Sequence, residues 1–256
     1  MLLGIDVGNT NTVFAVFDGD QLRQSWRLHT NNASSADEYA VFLKQVLEHE
    51  DIYFSDISDV MVSSVVPEAN FHVRILCEKY LNSVATFVTK DNVGIALDVD
   101  RPEDVGADRL VNVVGVRAHY SAPAVVIDFG TATTFDVINT DGAYAGGVIA
   151  PGINLSLDAL HRAASKLPRI SVTKPEKIIG RSTVQAMQSG VFYGYAHMID
   201  GIVRGIKKEM SIDDVHVIAT GGLASLFVDD VDVIDAVDQN LTLNGLFQIY
   251  KGLNDE

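Results

Sequence analysis

The sequence predicts an α/β fold of two duplicated halves, each a β-sheet of mixed strand direction flanked by helices. Three observations predict it. Leu2 to Gly19 reads as strand, tight polar turn, strand, turn: an apolar run reaches Asp6, small polar residues follow from Gly8 to Thr12, and Val13 to Phe17 leads into Asp18-Gly19. Val125 to Ile138 repeats that plan, with Asp128, Gly130 and Thr134 each 122 residues after Asp6, Gly8 and Thr12. Both copies are followed by another β-type run and then by alternating helical and strand patterns. Two copies at one offset indicate a duplicated domain. We place the halves at 1–118 and 119–256, with Ser121-Ala122-Pro123 beside the boundary. Equivalent turns in duplicated halves are expected to face one cleft and to hold one ligand from both sides.

The elements follow in order. Leu22 to His29 reads as a third strand, with Trp26 as packing. Ser35-Ala36-Asp37-Glu38 has capping-box spacing, and Tyr39, Phe42, Leu43, Val46 and Leu47 then share one helical face. Asp59 to Val66 is a strand ended by Pro67, Asn70 to Tyr80 a helix, and Val84 to Val88 a strand. Asp91 to Asp108 is irregular and acidic, and an apolar helix runs from Leu110 to His119. In the second half, Ala143 to Ile149 is a strand and Leu155 to Ser165 a helix. A long helix runs to Met210, Val215 to Ala219 is a strand, and Leu241 to Leu253 is the last helix. Gly190, Gly194 and Gly201, spaced by four and seven, read as a helix-packing seam.

Composition narrows the function. The chain has 256 residues, 47% of them apolar, which fits a folded protein with ample core. No apolar run is long enough to span a bilayer, and the N-terminus enters a strand with no basic segment, so neither a membrane anchor nor a secretory leader is expected. Cys77 is the sole cysteine, which excludes an internal disulfide and fits a reducing compartment. A net charge of −15 argues against a nucleic-acid surface. It also makes a phosphate ligand awkward, because two unit charges about 4 Å apart interact by several kcal/mol at an effective dielectric near 20. A phosphate site built on carboxylates therefore implies cations between them.

No dinucleotide-binding G-x-G-x-x-G, no phosphate-loop G-x-x-x-x-G-K-[ST] and no G-x-S-x-G elbow occurs, and the seven histidines are scattered. The aspartates remain. Asp6, Asp108 and Asp128 each stand beside glycine and small residues, and such oxygen ligands suit hard cations such as Mg²⁺. Asp108 follows Gly106-Ala107, precedes Arg109 and opens a helix. By spacing alone it is equally a helix N-terminal aspartate or a general base for a hydroxyl group. Thr220-Gly221-Gly222 is either a strand-to-helix turn or a close backbone approach to a nucleotide.

Together these motifs carry a resemblance. Asp6 to Thr12, Asp128 to Thr134 and Thr220 to Gly222 resemble the phosphate and adenosine motifs of the acetate and sugar kinase, Hsp70 and actin superfamily. Within it, Gly106-Ala107-Asp108-Arg109, Gly146 to Gly152 and Lys166-Leu167-Pro168-Arg169-Ile170 resemble type III pantothenate kinase. The resemblance implies two ribonuclease H-like domains with the active site in the cleft between them. It implies a cytoplasmic homodimer that phosphorylates pantothenate with ATP, the first step of coenzyme A synthesis, using Mg²⁺ and K⁺ or NH₄⁺. It implies that Asp6, Val7, Gly8, Asn9, Thr10, Asn11, Thr12 and Val13 form the ATP phosphate loop, with Thr131, Gly221 and Gly222 also on the nucleotide. Asp128 would bind the monovalent cation and Asp6 the Mg²⁺. Gly106, Ala107, Asp108 and Arg109 would hold pantothenate, Asp108 as general base, with Thr183 also in contact. Val99 stands where many members carry a tyrosine, so any hydrogen bond that tyrosine gives pantothenate is absent here.

Two other readings are open: a non-catalytic nucleotide-binding regulator of the actin-like kind, and a kinase for another small alcohol. The Asp108-Arg109 pair discriminates against the first, since a switch without an acceptor alcohol has no use for it. Val99 keeps the second in play.

Overall fold

The computed structural model describes residues 1–31, 33–164 and 167–254. Ser165, expected to end a helix, and Lys166 of the Lys166-to-Ile170 motif lie outside the described residues. The chain divides into two units, one of Met1–His119 with the stretch from Asn240 onward, the other of Tyr120–Gln239.

In the first unit β1 (Leu2–Val7) is the central strand. It pairs antiparallel with β2 (Asn11–Asp18) and parallel with β4 (Asp59–Ser64), and β3 (Gln21–His29) and β5 (Ala85–Phe87) lie at the edges, giving the order β3-β2-β1-β4-β5. β1 reads as a nearly continuous apolar run because both faces of the sheet are covered. On one face Leu3, Ile5, Phe14 and Val16 meet α1 (Ala36–Glu48) and α2 (Pro67–Leu76). The capping box at Ser35 is formed, with Glu38 Oε2 accepting from Ser35 N at 2.7 Å and Ser35 Oγ from Glu38 N at 3.3 Å. Pro67 starts α2, where a missing N–H costs nothing. Cys77 follows it, fully buried, and burial pushes its thiol up to about 12, so it is an inert core residue.

On the other face Leu2, Ala15, Phe17 and Met61 pack with α3 (Ala107–His119) and α7 (Leu241–Asn254). The sequence sets α7 in the second domain, but its packing groups it with the first unit. Phe17 stacks on Phe247 at 4.9 Å, Thr242 Oγ1 donates to Asn112 at 2.8 Å, and Tyr250 donates to Asp59 at 3.0 Å. Glycines let α3 and α7 touch backbone to backbone. A Cβ on Gly115 would lie 2.6 Å from the Leu241 carbonyl oxygen, and one on Gly245 would collide with that of Val111.

The second unit repeats the topology. β6 (Ala124–Phe129) is central, antiparallel to β7 (Ala132–Ile138) and parallel to β9 (His216–Gly221). With β8 (Tyr144–Pro151) and β10 (Ala236–Val237) at the edges, the order is β10-β9-β6-β7-β8. α4 (Ile153–Ala163), α5 (Thr183–Met210) and α6 (Ala224–Phe227) cover the face carrying Val125, Ile127 and Phe135. β10 and α6 are too short to leave a periodic signal in the sequence. The expected glycine seam on α5 has no partner among the described residues, for a Cβ at Gly190, Gly194 or Gly201 would meet open space. No described helix is long and apolar enough to cross a membrane.

Gly245→Ala is expected to force α3 and α7 apart and to destabilise the protein by about 2–3 kcal/mol, read as a drop in thermal unfolding midpoint. An unchanged midpoint would show that the contact is dispensable.

Candidate active site

The first turn is closed by a hydrogen bond from Gly8 N to Asn11 O at 3.0 Å, and a Cβ on Gly8 would press that oxygen at 3.1 Å. Asn9 and Thr10 are exposed at its tip. Val7 and Thr12 point the other way. Val7 belongs to the core, and Thr12 Oγ1, fully buried, bonds Thr30 Oγ1 at 2.9 Å. Of the expected phosphate-loop residues, these two offer a ligand their backbone only, and Val13 packs with the apolar layer under α3 and α7.

Asp6 is the penultimate residue of β1 and is partly buried. Parallel pairing sets Ser63 of β4 directly beside it, and antiparallel pairing sets Val13 on the other side. Loss of water around the carboxylate pushes its pKa up to about 6; the Ser63 hydroxyl opposes this, the Asp108 charge adds to it, and the Arg27 charge opposes it. Asp6 and Asp108, 102 positions apart in the sequence, therefore share one electrostatic environment in the first unit.

Asp108 lies within the first turn of α3, one turn earlier than the apolar pattern alone predicts. Its Oδ1 accepts from Arg109 N at 2.9 Å and from Arg109 Nη1 at 3.5 Å. The guanidinium is largely buried and the carboxylate about one-third exposed, at 17% and 35%. A Cβ on Gly106 would come within 2.5 Å of that same Oδ1, so glycine is required for the carboxylate to fold back over the helix start. Asp108 thus stands in the first turn of a helix, at the positive end of its dipole.

In the second unit Gly130 N bonds Ala132 O at 3.1 Å, leaving Thr131 exposed at the tip of the turn. Gly152, at the start of α4, rests on this turn, and a Cβ there would collide with the Thr131 carbonyl. Asp128 is flanked in register by Thr134 of β7 and Thr220 of β9, both buried. Gly221 takes φ +88°, and a Cβ there would lie 2.6 Å from Asp128 Oδ1 and 2.8 Å from Phe129 O. Gly222, by contrast, is exposed with open space where a Cβ would stand. Only the first glycine of the pair is dictated by contact.

Thr183 is exposed at the first residue of α5, after the Ser182 cap. It lines a cavity of about 500 Å³ with Leu160, Met187, Gly190 and Tyr195. Val99 is partly buried in the irregular segment before α3. Sequence reasoning missed Ser63, Arg27 and Gly152. The first two stand on the Asp6 row of the sheet, and only strand register reveals that; the third lies next to Pro151, in a motif read without a role.

The residues present fit hard cations. Among the described residues no three His, Cys, Asp or Glu side chains cluster. Each turn instead offers one carboxylate with neighbouring hydroxyls and carbonyls, a donor set of oxygens alone that suits Mg²⁺ and K⁺.

In the ligand-free protein the raised Asp6 pKa has a defined sign. The folded state holds this proton more tightly than the unfolded state. The contribution to stability is thus complete below about 3.8 and lost as pH rises through about 6. Asp6→Asn is expected to raise the unfolding midpoint by a few degrees at pH 8, with the gain shrinking toward pH 4. A gain independent of pH would show that the carboxylate is not the cause.

A family model described as type III pantothenate kinase matches residues 2–205. A type III pantothenate kinase of Paramagnetospirillum magneticum is 52% identical over 253 residues, covering 98% of this chain and 97% of that one. Another, from Rhodospirillum rubrum, is 49% identical and covers 98% of each. Among solved structures, an activator of 2-hydroxyisocaproyl-CoA dehydratase from Clostridium difficile, with bound ADPNP, superposes with a TM-score of 0.56 at 12% identity, covering 100% of this chain and 97% of that one. Component A of (R)-2-hydroxyglutaryl-CoA dehydratase from Acidaminococcus fermentans gives 0.53 at 17% identity, covering 99% of each. These structural likenesses speak to the fold alone. The family model and the half-identical relatives go further: the chain belongs to the type III pantothenate kinase family.

Proposed function

We propose that this chain transfers the γ-phosphoryl group of ATP to the primary hydroxyl of pantothenate, with Asp108 as general base. The observation that carries the reading is the start of α3. There Gly106 lets Asp108 fold back, Arg109 holds one of its oxygens, and the Asp108 charge is felt at Asp6, just before the phosphate turn.

The roles follow from the chemistry. Arg109 occupies Asp108 Oδ1, which leaves Oδ2 to accept the proton of the pantothenate hydroxyl. As the hydroxyl oxygen bonds to the γ-phosphorus, the bond to the bridging oxygen breaks, ADP leaves and the proton passes to Asp108. The buried guanidinium of Arg109 also clamps a carboxylate or amide oxygen of pantothenate. The backbone from Asp6 to Val13 cradles the phosphates, and Thr131, Gly221 and Gly222 contact the nucleotide. Asp6 would hold Mg²⁺ and Asp128 K⁺ or NH₄⁺; when bound, these ions neutralise the triphosphate and the flanking carboxylates. Thr183 contacts pantothenate, and Val99 withholds the hydrogen bond that a tyrosine would give.

The reading extends to a homodimer. It is supported by apolar side chains exposed on α4 and α5 (Leu155, Leu160 and Val184), beside the cavity that Thr183 lines. Sedimentation at micromolar concentration should give twice the chain mass, and a monomer there would remove this part.

ADP release from ATP is expected only when pantothenate, Mg²⁺ and K⁺ or NH₄⁺ are all present; release independent of pantothenate, or none at all, would sink the assignment. Asp108→Asn is expected to bind ATP normally and to lose about 10²–10⁴-fold in kcat. Turnover at the wild-type rate in that variant would remove the general base.

A further inference from the structure

One cation on the Asp6 face of the first sheet has no assigned task. Val13 pairs with Asp6 on one side and with Arg27 of β3 on the other, so Ser63, Asp6, Val13 and Arg27 form one row across four strands. Directly paired residues point to the same face of a sheet. The neighbours of Arg27 confirm its direction, since Trp26 and Leu28 pack into the opposite layer, under α1 and α2. Neighbouring strands lie about 4.8 Å apart, so the Cα atoms of Arg27 and Asp6 are separated by roughly 10 Å. An arginine side chain spans most of that distance, and the Arg27 charge is felt at Asp6.

Arg27 is exposed, and among the described residues no carboxylate lies within ion-pair distance of it. Arg23, four residues earlier on β3, is paired with Asp18 at 3.6 Å. Without Arg27, the row beside the phosphate turn would carry only negative charge, from Asp6 and nearby Asp108. A triphosphate brought to that turn would meet two carboxylates and no fixed countercharge from this sheet.

We infer that Arg27 is a phosphate-positioning residue: its guanidinium, reaching over Val13, contacts a terminal phosphate oxygen of bound ATP and supplies the fixed positive charge that the Asp6 row otherwise lacks. This rests on the kinase reading above. Guanidinium suits the task because it stays charged at every working pH and can bind a phosphoryl group through two N–H donors. Charge placed where the transferring group passes stabilises the transition state as well as the bound nucleotide.

The test compares the wild-type protein with Arg27→Gln and Arg27→Lys. All three should unfold within a few degrees of one another, because the side chain is exposed and, among the described residues, makes no hydrogen bond or ion pair. Arg27→Gln is expected to lower kcat/KM for ATP by about 10–100-fold and to leave the KM for pantothenate within about twofold. Arg27→Lys should recover part of the loss, since it restores charge but not the paired donors. The same loss should appear with a neutral primary-amide analogue of pantothenate as acceptor. Wild-type kcat/KM for ATP in Arg27→Gln would overturn the inference. So would a loss that vanishes with the amide analogue, because Arg27 would then serve the acceptor's carboxylate. Absence of turnover in the wild type would count against the kinase reading alone. Calorimetric binding of Mg-ATP would still decide on Arg27, with affinity about tenfold weaker in Arg27→Gln expected and equal affinity overturning it.

Discussion

A carboxylate at the end of a central strand is expensive to keep. Asp6 stands where β1 leaves the sheet, with core on both faces below it and little water around it, and its proton is correspondingly hard to remove. Asp128 holds the equivalent place in the second unit, enclosed by two buried threonines and by the backbone at Gly221. Neither residue belongs to the apolar core of its unit. Their presence makes sense if cations and phosphates restore the solvation that folding removes. The local architecture then reads as a set of devices for holding that charge in place: hairpin turns closed by one hydrogen bond, glycines where a Cβ would collide, and hydroxyls in register on the next strand.

The two units answer this constraint with one topology and different detail. Each has a five-stranded sheet whose central strand pairs antiparallel with its successor and parallel with the strand beyond. In the first unit the Asp6 face is closed by α3 and α7, whose backbones touch through Gly115 and Gly245. That contact sets the start of α3, and with it Gly106, Asp108 and Arg109. In the second unit a glycine at the end of β9 lets its backbone lie close against Asp128, and Gly152 props the turn that presents Thr131.

Much of this was legible in the sequence because it is local or periodic. The twin turns announce themselves by their constant offset, the α1 cap by its spacing, and the strands by their apolar runs. Helix boundaries were less legible. α3 begins at Ala107, before its apolar stripe, because Asp108 and Arg109 interrupt the apolar pattern in its first turn. α6 and β10 are too short to carry a period. α7 gives a clear helical pattern, but no pattern states which sheet it covers; the close approach to α3 decides that.

By itself, then, the sequence determined the duplication, the α/β class and the family. Each of these is written in the identity and spacing of nearby residues. Only the tertiary structure decided that Ser63, Asp6, Val13 and Arg27 form one row, that Asp6 feels Asp108, that Thr12 turns its hydroxyl inward, and that Gly221 but not Gly222 is fixed by contact. The physical reason is that strand register and desolvation are properties of residues brought together from far along the chain. Their free energy depends on neighbours that no local stretch of sequence specifies.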